Sequence, residues 1–357
     1  MDLLKTADAP ELTGAGDPAS TIAGLMPFTM HGGGPLIDLA HMVCAALTFD
    51  IPGDMVDCGA WRGGASFLMA DVLRRADATD RRVWLFDTFE GPPAPRPVEG
   101  PATLVSTQNT DTPGYYDNSR ASLDDVRRTA ARLGVAAHIR IVKGWYEQTL
   151  PLYRERLGPI AILRIDGDWY SSVRCCLENL FDQVVEGGLV IIHDYYAYDG
   201  CRLAVHDFLS EHHVAYPLES VIGPPADQLE RAVIRKGKST WKWLQQLYLT
   251  RQDIAAVIPS GATFALVDQQ WFSDQVVGER RAIPFVERNG QDWGSPPDDE
   301  TAIRELDRLQ QAGASFLAIA WPAFWWLDYY AGLHRHLRST FRCVLENDRL
   351  IVFELQR

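Results

Sequence analysis

Apolar positions along this chain switch repeatedly between the spacing of a buried strand and that of a helix. Two continuous runs, Ile160 to Ile165 and Leu189 to Ile192, have the length and β-branched content of strands covered on both faces. Between them Val173, Cys176, Leu177, Leu180, Phe181 and Val184 recur every three or four residues, the stripe of a helix lying on a sheet. Glu186-Gly187-Gly188 is expected to end that helix, with glycine where the chain turns back. Both strands of a β-α-β unit point the same way, so their carboxyl ends share one edge. That edge then carries Asp166-Gly167-Asp168 beside His193-Asp194. Open α/β sheets bind ligands at the carboxyl ends of their strands. One histidine and three carboxylates gathered there read as a metal-assisted active site.

The pattern extends in both directions. Leu36, Leu39, Ala40, Val43 and Leu47 are spaced for a helix, and "DMVDCGAWRGGASFLMADVLRRA" reads as strand, glycine turn and helix. Gly59, Gly63 and Gly64 let backbone N–H groups approach a ligand at a helix start, or merely tighten the turn. Neither the GxGxxG fingerprint nor a GK[ST] phosphate loop is present. "RRVWLFD" is a second strand ending in Asp87, which is either a ribose-binding acid or a solvated turn residue. The Pro/Gly-containing stretch from Thr88 to Asn118 is expected to be a lid over the sheet edge. A helix capped by Ser122 runs to Leu133, "HIRIVKGW" is a strand, "DGCRLAVHDFLSEHH" a helix and "ERAVIRKG" a final strand. Such alternation over residues 30–237 predicts a doubly wound α/β sheet.

The domain organisation follows. Residues 1–27 lack periodicity and read as a loose arm, 28–237 as the main domain, 238–256 as a linking helix and 257–357 as a smaller α/β domain. In the last, "TFALVD", "SFLAIA", "FRCVLEN" and "RLIVFEL" are strands, with helices from Asp298 to Ala312 and from Trp325 to Leu337. Trp321, Trp325, Trp326, Tyr329 and Tyr330 read as core or interface rather than a sugar-stacking platform.

Composition narrows the function. The net charge of −13 argues against nucleic-acid or anionic-membrane partners. The six cysteines lack metal-finger spacing and are expected as free thiols in a reducing cytoplasm. No signal peptide is visible, and the most apolar stretch, Phe316 to Leu333, contains Pro322 and Asp328, so a soluble protein is expected.

The blocks "FTMHGGGPL", "DCGAWRGGASFLMADVL", "VWLFDTFEGPP", "IVKGWYEQTLP", "LRIDGDWYSSVRCCLENLF" and "GGLVIIHDYYAYDGCRLAVHDF" together resemble the macrocin-type O-methyltransferases. The resemblance covers roughly residues 28–237. It implies a class I methyltransferase sheet and transfer of a methyl group from S-adenosylmethionine, with Mg²⁺, to a hydroxyl of a sugar on a natural product. By motif it implies cofactor contacts from Thr29, Met30, Asp57, Gly59, Gly63, Ser66, Asp87, Gly144, Trp145 and Asp166. Asp166 matches the first metal ligand and proposed base, and His193-Asp194 occupy the usual Asp-Asp pair. Imidazole at that place suits Mn²⁺ or another transition metal better than Mg²⁺, and leaves three readings: His193 as a ligand, the favoured one, as a second-sphere group or base, or as the mark of a site with weakened metal affinity. The expected partner is a small sugar or glycoside acceptor, with assembly as a homo-oligomer. Two alternatives stand beside this: a catechol or other phenolic diol as acceptor, its apolar mouth formed by Trp169, Tyr170, Tyr195 and Tyr196, and a non-catalytic binding protein built on a cofactor fold.

Overall fold

A computed structural model describes residues 18–101, 119–223, 228–271 and 275–355. The chain forms two compact units, Met1–Lys242 and Trp243–Arg357. In the first, seven strands lie in the order β3-β2-β1-β4-β5-β7-β6. They are β1 (Asp54–Cys58), β2 (Val83–Asp87), β3 (Ile139–Lys143), β4 (Ile160–Ile165), β5 (Val184–Ile192), β6 (Leu218–Gly223) and β7 (Gln228–Arg235). The first five run parallel, and β7 is antiparallel to both β5 and β6. This is the expected doubly wound sheet. β4 is buried at all six positions, as its unbroken apolar run requires. The chain passes from β1 outward to β2 and β3, then crosses back to β4 on the other side of β1. Such a reversal opens a crevice at the carboxyl ends of β1 and β4.

Several expectations are corrected. Part of the presumed loose arm is helical, Pro18–Leu25, with Ile22 and Leu25 buried; residues 1–17 lie outside the described residues. The helix before β5 is shorter than its apolar stripe. It spans Tyr170–Leu180, and Val184 already belongs to β5. Glu186-Gly187-Gly188 therefore ends no helix but forms an irregularity inside the strand, where pairing with β4 slips. A Cβ on Gly188 would stand 2.8 Å from the Val184 side chain, 2.9 Å from the Val185 carbonyl oxygen and 3.0 Å from the Ala161 carbonyl oxygen, so crowding within the irregular strand as well as against β4 is what requires glycine there. Strand β6 was not anticipated. The expected cap at Ser122 is present, its Oγ accepting the Asp125 N–H at 3.3 Å over helix Leu123–Arg132. Of the expected lid, 102–118 lie outside the described residues. Its first part is tied down by the Trp169 Nε1–H bond to the Pro93 carbonyl (2.8 Å) and by Glu99, which accepts the Tyr170 N–H at 2.5 Å.

The second unit has a five-stranded sheet, β13-β14-β12-β8-β9, and a two-stranded hairpin, β10-β11. The strands are β8 (Thr263–Val267), β9 (Arg281–Pro284), β10 (Glu287–Arg288), β11 (Gln291–Asp292), β12 (Phe316–Ala320), β13 (Arg342–Glu346) and β14 (Leu350–Glu354). Helix Trp241–Val257 precedes them. Asp298 caps helix Asp299–Gln311 by accepting the Thr301 N–H at 2.7 Å. The single helix expected through the aromatic stretch is two, Trp326–Tyr329 and Ala331–Thr340, broken at Tyr330. Trp326 and Tyr330 are buried while Trp325 and Tyr329 are exposed, so the core reading holds for only part of that cluster. None of the six cysteines is in a disulfide. Among the described residues no helix is long and apolar enough to cross a membrane.

Candidate active site

A cavity of about 330 Å³ opens at the crevice between β1 and β4, with Gly59, Asp87, Trp145, Asp166, His193 and Asp194 on its walls. It also reaches Thr29 and Met30. Gly59 follows β1 with φ of +99°, and a Cβ there would sit 1.9 Å from the Asp166 carbonyl oxygen. Glycine is thus required for the two strand ends to meet. Gly63 has φ of +91° and starts helix Gly64–Arg75. Neither it nor Gly144 lines the cavity; Gly144 donates its N–H to the Asp87 carbonyl at 3.0 Å.

Asp87 ends β2 as expected. Its Oδ2 accepts the Trp61 N–H at 2.7 Å and its Oδ1 the Phe89 N–H at 2.6 Å, which fix the carboxylate plane. Burial pushes its pKa up to about 6 against those two bonds.

Asp57 and Ser66 lie beneath the cavity rather than on its surface, joined by a hydroxyl–carboxylate bond of 2.5 Å. The other Asp57 oxygen takes the Arg164 Nη1–H at 2.8 Å. Arg164 Nη2 then reaches Asp166 Oδ2 at 2.6 Å and His31 Nε2 at 2.7 Å. His31 Nε2 also stands 3.1 Å from Asp166 Oδ2; it can only accept from the guanidinium and only donate to the carboxylate, so its tautomer decides which of the two it bonds. The Thr29 hydroxyl accepts the His31 N–H at 3.1 Å, and the His31 and His193 rings lie 3.7 Å apart.

Two groups of donor atoms share Asp166: one with His31 and His193, the other with Asp168 and Asp194. Their fit to a cation differs. In the first, His31 Nε2 and Asp166 Oδ2 already touch each other at 3.1 Å, and the Arg164 guanidinium lies against both. In the second, Asp194 Oδ2 is buried with no hydrogen-bond partner among the described residues. Burial, then the neighbouring Asp166, raises the Asp168 pKa to about 7, and burial with Asp166 and Asp168 pushes Asp194 well above the carboxylate range. Burial also acts against ionised Asp166, yet Arg164, with His193 and His31, outweighs it and holds that carboxyl well below its ordinary value. His193 is pushed well below the ordinary imidazole value by burial, which Asp166 only partly opposes. Three crowded oxygen donors with an orphaned lone pair fit a hard divalent cation.

Sequence patterns had not singled out His31 or Arg164, and had named Asp168 without making it a ligand. Arg164 was legible as a cation inside a six-residue apolar strand. Asp168 has φ of +55°, costly outside glycine and not readable from residue type alone. The tyrosines expected at an apolar mouth are turned elsewhere. The hydroxyl of Tyr170 donates to Asp207 at 3.0 Å, that of Tyr195 pairs with His206 at 2.7 Å, and that of Tyr196 pairs with Ser220.

Residues 17–223 match the family described as macrocin-O-methyltransferase (TylF). The chain is 37% identical over 196 residues to the 8-demethyl-8-(2,3-dimethoxy-alpha-L-rhamnosyl)-tetracenomycin-C 4'-O-methyltransferase of Streptomyces olivaceus, covering 55% of this chain and 72% of that one. It is 33% identical to the mycinamicin III 3''-O-methyltransferase of Micromonospora griseorubida, covering 52% and 72%. The solved structure of the O-methyltransferase NovP is similar with a TM-score of 0.50 at 29% identity, over 59% of this chain and 83% of that one.

Proposed function

Given that the chain belongs to the macrocin-O-methyltransferase family and so transfers a methyl group from S-adenosylmethionine to a hydroxyl, we propose that its acceptor is a sugar hydroxyl on a glycosylated natural product. The relatives named for tetracenomycin and mycinamicin support that acceptor class. The observation that carries the reading is the single cavity joining Asp87 to the Asp166, Asp168 and Asp194 carboxylates. Asp87, held by two backbone N–H groups, has lone pairs left to accept the cofactor's ribose hydroxyls. Gly59 and Trp145 line the same cavity, Gly59 giving the methionine end close passage to the backbone and Trp145 offering a ring to the adenine.

Asp166, Asp168 and Asp194 would hold a divalent cation, and their all-oxygen set suits Mg²⁺. Such a cation supplies Lewis acidity toward an alcohol that scarcely ionises at neutral pH. Arg164 keeps Asp166 ionised and fixed, which suits a ligand better than a proton acceptor. His193, held neutral by burial, is the group placed to take the acceptor's proton. Holding hydroxyl oxygen and methyl group in line contributes about 7–11 kcal/mol to such reactions.

The test is methylation by the 357-residue chain with S-adenosylmethionine and Mg²⁺ against rhamnosylated aglycones and simple catechols. Product mass one methylene heavier with glycosides, lost in Asp166→Asn, is expected. Methylation of the catechols alone would overturn the sugar reading.

A further inference from the structure

The tyrosines expected at an acceptor's mouth, Tyr170, Tyr195 and Tyr196, spend their hydroxyls elsewhere. A fourth, Tyr198, lines the cavity on its carboxylate side. It stands at the start of helix Asp199–Glu211 and is half-buried. Its place is fixed on several sides. The Asp194 carbonyl accepts its N–H at 3.0 Å, its own carbonyl accepts the Arg202 N–H at 3.2 Å, and its ring lies edge-on to Trp169 at 5.4 Å. Trp169 is itself buried and tied to Pro93. A side chain held this way meets a ligand without first losing rotamer freedom.

The hydroxyl, by contrast, is unspent. It bonds none of the described residues and is not shut away from solvent. Burial, then Asp168, Asp194 and Asp166, push its pKa above the ordinary phenol value, so it keeps its proton at neutral pH. Those carboxylates, when ionised, can only accept hydrogen bonds. The cationic donor of the same cavity, Arg164, is engaged with Asp57, Asp166 and His31, and Trp169 spends its indole N–H on the Pro93 carbonyl. A phenol hydroxyl both donates and accepts, which is the pairing a sugar hydroxyl needs.

A hydroxyl brought to Asp166, Asp168, Asp194 and His193 for methylation carries its ring neighbours along the same wall. We infer that the Tyr198 hydroxyl hydrogen-bonds the acceptor's hydroxyl next to the one methylated, and so selects acceptors in which that neighbour is free. Resting on the sugar acceptor proposed above, this makes Tyr198 a specificity-determining residue. A site built to bond a hydroxyl discriminates strongly against an analogue that lacks it.

The test measures kcat and KM of the 357-residue chain and of Tyr198→Phe, with S-adenosylmethionine and Mg²⁺, on a rhamnosylated aglycone and its monodeoxy-rhamnose analogues. Phenylalanine keeps the ring against Trp169 and deletes only the hydroxyl, so melting temperature and S-adenosylmethionine affinity should be unchanged. On the parent rhamnoside Tyr198→Phe should lose about fivefold or more in kcat/KM. One monodeoxy analogue should show the same loss with the native chain and no further loss with Tyr198→Phe, a coupling that a merely structural role would not produce. Native-like turnover of the parent rhamnoside by Tyr198→Phe, or an equal further loss on every analogue that is methylated, overturns this inference alone. No methylated rhamnoside from the native chain overturns it together with the sugar reading.

Discussion

Arg164 stands in the middle of a strand buried at every position, and its guanidinium touches Asp57, Asp166 and His31 at once. Removing one member of a buried ion network strands the others, at a cost of about 3–5 kcal/mol. Arg164→Met should therefore lower the melting temperature sharply and abolish turnover; calorimetry and activity measured together check both. Asp194 behaves in the opposite sense. Its buried carboxyl is opposed by Asp166 and Asp168, so Asn at this position removes a repulsion in metal-free protein. Asp194→Asn is expected to melt a few degrees higher in chelator, yet to lose Mg²⁺-dependent activity by about a hundredfold or more. Asp87 provides the pH signature. Its pKa is raised to about 6, so the acceptor form dominates at pH 7.5 and is lost as pH falls through that value. S-adenosylmethionine affinity should weaken severalfold between pH 7.5 and pH 5.5, and Asp87→Asn should flatten that dependence in calorimetric titrations.

At the scale of elements, the site is an edge where strand ends meet, and two devices hold it. One is Gly59, which lets the end of β1 touch the Asp166 backbone. An alanine would meet both a left-handed φ and a carbonyl oxygen at 1.9 Å. Gly59→Ala should cost more than about 1 kcal/mol and misplace Asp166, visible as a lowered melting temperature together with lost activity. The other is Glu99, buried in a short 3-10 turn after β2, whose carboxylate caps helix Tyr170–Leu180 from across the sequence. Glu99→Ala leaves the Tyr170 N–H without that acceptor. Faster protease cleavage between Thr88 and Gly100, with a raised KM, is the expected outcome. Element boundaries were where periodicity misled: Val184 fits a helical stripe, yet the β4 partner claims it for a strand.

Across the whole molecule, two units each bury their own core, one around Leu163, Val173 and Val190, the other around Leu306, Leu317 and Phe353. Differential scanning calorimetry should resolve two transitions, of which only the first shifts with S-adenosylmethionine. The alternation of apolar strands and striped helices, and the acidic residues at strand ends, were determined by the sequence itself. Both are local: side-chain period follows backbone geometry, and a strand's end is marked by the first polar residue after it. Hence the doubly wound sheet, Asp87, and the meeting of Asp166 with His193-Asp194 were legible. Which donors converge was decided only in three dimensions. His31 and Arg164 are separated by 133 residues, and Asp57 and Arg164 by 107, so no spacing rule links them. Nor does residue type reveal that Arg164 fills the space beside the histidines and leaves Asp194 with a bare lone pair. Charge pairing in a buried site depends on distances of a few ångströms, and only the closed sheet sets those distances.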